Sequence, residues 1–132
     1  MTIPVLANPQ HGPSLFINHS YTLEDHNGLQ ITPRIDSQNF RHRRSEPGYF
    51  STWHLAGDPT LIIIRKGSLR IGLRDGTHRD FSPGDQFIAQ DHLPEGATFD
   101  PKIHGHTAQV IGPQTLEAVH LKLTTPIPIS TP

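Results

Sequence analysis

The chain contains no cysteine. Disulfides, thiolate metal sites and cysteine nucleophiles are therefore excluded. Long apolar runs are missing too. The longest, LIII at 61–64, is far short of the ~20 residues a membrane helix needs. The opening MTIPVLANPQHGPS has no basic stretch followed by an apolar one, so no secretory signal is read and a cytoplasmic protein is expected. Without a signal, the sequon NHS at 18–20 has little weight. Nor is there an excess of one charge: 11 Lys and Arg face 12 Asp and Glu. With no global field, neither nucleic acid nor a membrane is an expected partner, and a small molecule fits better. No Gly-rich dinucleotide loop and no P-loop occurs, so no cofactor is expected.

Histidine, glycine and proline are abundant instead. Ten histidines stand in 132 residues, and histidine is the side chain that most readily moves protons or binds metals near neutral pH. The length fits one domain. The 11 Gly and 13 Pro cut the sequence into short pieces, which favours strands and turns over helices. LIIIRKGSLRIGLRDGTHRDF reads as strands around turns at Lys66-Gly67 and Asp75-Gly76. SPGDQFIAQ is a turn and a strand; HGHTAQVIGPQTLEAVHLKL is strand, turn, strand. TLEDHNG, with Thr22 as N-cap and Asn27-Gly28 as stop, is the one weak helix candidate. The tail TTPIPISTP is too Pro-rich for an inner strand and reads as an extended or disordered arm.

The chemistry centres on 48–67, GYFSTWHLAGDPTLIIIRKG. Residues two apart in a strand share a face. Phe50, Thr52, His54 and Ala56 then point one way, and after the turn at 57–59 Thr60, Ile62 and Ile64 share a face. A second pair, His104 and His106, sits one residue apart around Gly105, which marks a bulge or a close approach.

This stretch resembles the cupin superfamily, as a small single-domain RmlC-like cupin with a degenerate metal motif. That family's first motif runs Gly, five residues, His, one residue, His, three or four residues, Glu, six residues, Gly. Here the same spacing holds Gly48, His54, Ala56, Thr60 and Gly67. Two metal-ligand positions of the motif are thus Ala56 and Thr60. Gly84-Asp85-Gln86-Phe87 resembles the start of the second motif, and His106 its end. The likeness covers roughly residues 46 to 123. It implies an all-β, cupin-like antiparallel jelly-roll barrel with an internal pocket, in which the strands of His54 and His106 are neighbours. It does not imply a reaction, because this fold hosts many.

The resulting expectations are specific. Residues 1–45 form N-terminal strands and an edge segment, 46–123 the core, and 124–132 the tail of a single domain, expected to be a homodimer. The function expected is a small-molecule enzyme of isomerase, lyase or cyclase type that needs no metal. His54 and His106 are its acid–base pair, with Asp91 as the third catalytic candidate. Asp91 either accepts a histidine N–H or makes a local loop-start bond, and the latter is favoured. Phe50, Thr52, Thr60, Ile62 and His104 are the substrate-binding candidates. One alternative is a metal-dependent oxygenase or lyase using a divalent ion on His54, His104 and His106; another is a non-catalytic ligand-binding cupin. Arg41, His42, Arg43 and Arg44 read as a charged edge or loop, or else as a grip on a carboxylate or phosphate. On the last strand, the face of Glu117, Val119, Leu121 and Leu123 is taken as the core and His120 as outside. His11, His19, His26, His42, His78 and His92 read as surface.

Overall fold

A computed structural model describes residues 1–129. Twelve strands and no helix occur among the described residues. Six strands form one sheet, in the order β2 (Leu15–Ser20), β1 (Thr2–Ala7), β10 (Gln86–Ala89), β7 (Thr60–Lys66), β12 (Leu116–Leu123) and β5 (Ser37–Ser45). Four form a second, in the order β6 (Phe50–His54), β11 (His106–Ile111), β8 (Ser68–Gly72) and β9 (His78–Phe81). All pairs are antiparallel except β1 with β10. The architecture is all-β and jelly-roll-like. This is the expected class, with the two sheets facing each other rather than joined: no ladder links them among the described residues.

Both faces of the larger sheet are covered, which explains why LIII is apolar at every position. Ile62 and Ile64 of β7, Phe87 and Ala89 of β10 and Leu6 of β1 face the smaller sheet, where they meet Leu69, Ile71, Phe81 and Val110. The alternate residues Ile3, Val5, Ala7 and Ile88 face outward, onto Leu123 and Ile127. Phe81 and Phe87 stack between the sheets, 4.3 Å apart.

The proline-rich tail supplies that outer cover. Ile127 is buried, and the Gln90 side chain holds its backbone from both sides: Nε2 donates to Ile127 O (2.9 Å) and Ile127 N donates to Oε1 (2.8 Å). The segment is thus docked through Ile127, with Ile129 packed beside it; the end of the expected arm, 130–132, lies outside the described residues.

The helix candidate is replaced by a hairpin, β3 (Glu24–His26) and β4 (Leu29–Ile31). Asn27 and Gly28 form its two-residue loop, with φ of 53° and 95°. Two consecutive positive φ values are what a type I′ turn requires, and Asn-Gly supplies them more readily than it stops a helix. The edge strand β5 is exposed at eight of its nine residues and carries three arginines, as an edge guarded against pairing with another chain does.

Candidate functional site

His54 ends β6 and His106 begins β11, directly opposite each other in the antiparallel ladder. Their ring centroids are 4.4 Å apart. The close approach depends on Gly105, whose φ is +87°. A Cβ there would lie 2.5 Å from the His54 carbonyl oxygen, so no other residue fits without parting the strands.

Each ring is fixed through Nδ1. His106 Nδ1 lies 2.6 Å from Asp91 Oδ2. Ser14 Oγ donates to the same oxygen at 2.6 Å, and the Ala56 N–H donates to Oδ1 at 2.9 Å. Asp91 is fully buried and His106 nearly so. Burial raises the Asp91 carboxyl, but the bonds from His106, Ser14 and Ala56 outweigh it and hold the group below its usual range. An ionised carboxylate only accepts, so His106 Nδ1 carries the proton and Nε2 is its remaining nitrogen. His54 Nδ1 lies 2.6 Å from the Thr52 carbonyl and 3.0 Å from Ser51 Oγ. A carbonyl also only accepts, so His54 has the same tautomer. Its pKa is lowered, mainly by burial, with the neighbouring His106 adding to the effect.

The two rings line an inner chamber with room of about 60 Å³. At roughly 10–15 Å³ per water, that admits four to six waters, or a ligand fragment of similar size. Ile62, Leu69, Ile71 and Phe87 form apolar walls. The chamber meets an outer recess of about 640 Å³, and Arg43 and His120 line both.

Of the expected site residues, His54, His106 and Ile62 line the chamber, and Asp91 stands behind it. Thr60 lines the outer recess with Ala56. Phe50 and Thr52 are exposed and line neither. The reason is a bulge: His106 pairs with His54, but Ala108 pairs with Ser51, so β6 carries one extra residue. Alternation breaks, and Ser51 takes the side of His54 that strict parity assigned to Thr52. His104 precedes β11 rather than lying in it, and its Nδ1 accepts the Asp100 N–H at 2.9 Å.

Asp91 accepts long-range bonds from three segments instead of the local turn bond expected of a loop-start aspartate. His120, expected outside, faces the chamber with Leu116 and Ala118. A register shift between Glu117 and Ala118 accompanies this, and the odd face packs on the outer layer through Leu121 and Leu123. Burial first, then Arg43 and Arg41, lower the His120 pKa to about 4. Ser14 lies 77 residues from Asp91 in sequence and carries no local signal. Tyr49 and Ser45 also stand at the chamber wall, where no motif marks them.

The donor set does not fit the metal site of the motif that the sequence resembles. Two of its positions are Ala56 and Thr60, and His104 Nδ1 is engaged elsewhere. Among the described residues no three His, Cys, Asp or Glu side chains gather for an ion.

No protein-family description matches the chain, and no curated protein does. Solved structures do resemble it. A KdgF from Halomonas sp. is 23% identical, over 85% of this chain and 94% of that one, with a TM-score of 0.47. An RmlC-like cupin family protein with a double-stranded β-helix fold from Methanocaldococcus jannaschii is 16% identical, over 79% and 90%, with a TM-score of 0.48. The cupin domain of Schizosaccharomyces pombe Cnp3 is 14% identical, over 95% and 87%, also at 0.48. The fold itself, a jelly-roll-like pair of facing sheets, is read from this chain's own strand order.

Proposed function

We propose that this protein is a small-molecule enzyme whose reaction is proton transfer on an organic substrate: an isomerisation, dehydration or cyclisation. One observation carries the proposal: two imidazoles 4.4 Å apart, each tied through Nδ1, share one small apolar chamber. Burial keeps His54 neutral near pH 7, with Nε2 as the base. His106 is backed by a carboxylate where His54 has only a carbonyl; the carboxylate supports the ring when Nε2 is protonated as well, so His106 takes the part of the acid through its Nε2–H. The base removes a proton from a carbon or hydroxyl, the acid delivers one to the departing or receiving atom, and the pair is restored by exchange with water. Asp91 is a positioning residue that fixes the His106 tautomer.

The test compares wild type with His54→Ala, His106→Ala and the double variant on candidate keto-acid or polyketide-like substrates, with and without chelator. Each single change is expected to lower turnover by ~10²–10⁴, as for one general acid or base. The double change should cost little more than the worse single one, because groups acting as a unit are not additive. Chelator should change nothing. Wild-type turnover in both single variants would refute the roles. Loss on chelation with rescue by a divalent ion would favour a metal enzyme, and altered affinity without any turnover would favour a binding protein.

A further inference from the structure

We infer that the chamber mouth is a carboxylate site, in which Arg41, Arg43 and His120 grip a small organic anion whose short apolar body enters toward His54 and His106. The inference rests on the proposed function only in making that anion the substrate.

The placement follows from register. On the inner face of the larger sheet, His120 pairs with Arg41 and Ala118 with Arg43. Both arginines therefore project on the side of the chamber. Ala118 is small and buried, which leaves space above it for the Arg43 stem. Arg43 is also steered: its Nη2 donates to the Tyr49 hydroxyl at 3.1 Å, and the guanidinium stands 5.4 Å from that ring. Neither Arg41 nor Arg43 has a carboxylate partner among the described residues. Among the described residues Asp58 is the one acid lining the recess, and it is paired with Lys122 at 2.7 Å. The recess thus keeps an excess of positive charge at the entrance to an apolar chamber.

That combination selects a ligand class. A guanidinium presents a planar fork that matches a carboxylate. A phosphate usually finds in addition a helix N-terminus or a nest of backbone N–H groups, and this mouth is built mainly from strand side chains, with Ala56 and Asp58 of the 55–59 loop and no helix among the described residues. The apolar walls then favour an acid with a short hydrocarbon or carbonyl-bearing body. The same arginines account for part of the acid shift of His120, which an anion between them would reverse.

Butyrate is a suitable probe, with n-butyramide as its uncharged isostere and inorganic phosphate as the rival anion. Binding is followed by histidine imidazole NMR, whose groups at the mouth are His120, His54 and His106 beside Arg41, Arg43, Lys122, Asp58 and Asp91. Butyrate is expected to shift the His120 and His54 signals, to raise the pH midpoint of His120, and to bind more weakly as salt increases. Butyramide should bind at least about tenfold more weakly, and R41Q/R43Q should lose about tenfold in butyrate affinity. Both arginines are exposed, so the double variant should fold; Arg43→Lys, which keeps charge and loses the fork, gives a second reading and should bind butyrate more weakly than wild type.

Equal binding of butyrate and butyramide, unchanged affinity in R41Q/R43Q, or tighter binding of phosphate would overturn the inference. The two readings separate in His106→Ala, which should still bind butyrate. If butyrate depends on the arginines while His54→Ala and His106→Ala retain turnover, the carboxylate site stands and the proton-transfer roles fall.

Discussion

Asp91 and His120 set how this protein responds to acid. The bonds that hold the Asp91 carboxyl low contribute stability above its unfolded pKa, about 3.8, and lose it as pH falls through the lower folded value. His120 has a folded pKa of about 4 against 6.5 when free. The unfolded chain therefore takes up that proton first, and stability declines as pH falls from 6.5 toward 4. His54, also lowered by burial, acts in the same direction. Thermal denaturation should show Tm falling between pH 7 and 4. His120→Gln should flatten part of that fall, by roughly 1–3 kcal/mol once solvent screening of a half-buried group is allowed for. A Tm that is level over this range in wild type would contradict the assignment.

At the scale of elements, the site is a junction of two strand ends and depends on how closely they approach. Gly105→Ala forces a Cβ against the His54 backbone at a positive φ. Gly84, with φ +92° and nothing within 4 Å, is the matched control for backbone strain alone. Both changes should cost about 1–2 kcal/mol for the left-handed conformation. Gly105→Ala should add about 1–3 kcal/mol of overpacking and displace His54 from His106. Denaturant unfolding of the two variants measures the difference, and turnover or His54 NMR shifts should change only in Gly105→Ala. Equal effects would mean that the close approach has no bearing on the site.

For the whole molecule, the larger sheet separates two jobs. One face carries the chamber, and the other is sealed by the C-terminal segment through Ile127 and Gln90. Removing residues 126–132 uncovers Ile3, Val5 and Ile88. Loss of the buried Ile127 side chain alone costs about 1.5–3 kcal/mol. The truncated chain should therefore show a lower Tm and bind a hydrophobic dye, yet keep its His54 and His106 NMR signatures below the new transition. If the imidazole signals collapse together with the outer face, the two faces are not independent.

The sequence by itself determined the all-β class and the turns at Lys66-Gly67, Asp75-Gly76 and Gly112-Pro113, because turn chemistry and strand alternation are local; that the strands of His54 and His106 are neighbours was implied by the family resemblance, and the ladder shows it. Where local rules competed, the sequence misled. Asn27-Gly28 serves as a hairpin turn as well as a helix stop, and one extra residue in β6 reverses which of Ser51 and Thr52 stands beside His54. Only the tertiary structure decided which face of β12 lines the chamber, since both faces of that sheet are covered and both carry apolar residues. The partners of Asp91 were likewise beyond any local pattern. Ser14, Ala56 and His106 lie 77, 35 and 15 residues away, and they meet at one carboxylate because a buried charge is stable only where the fold brings donors to it.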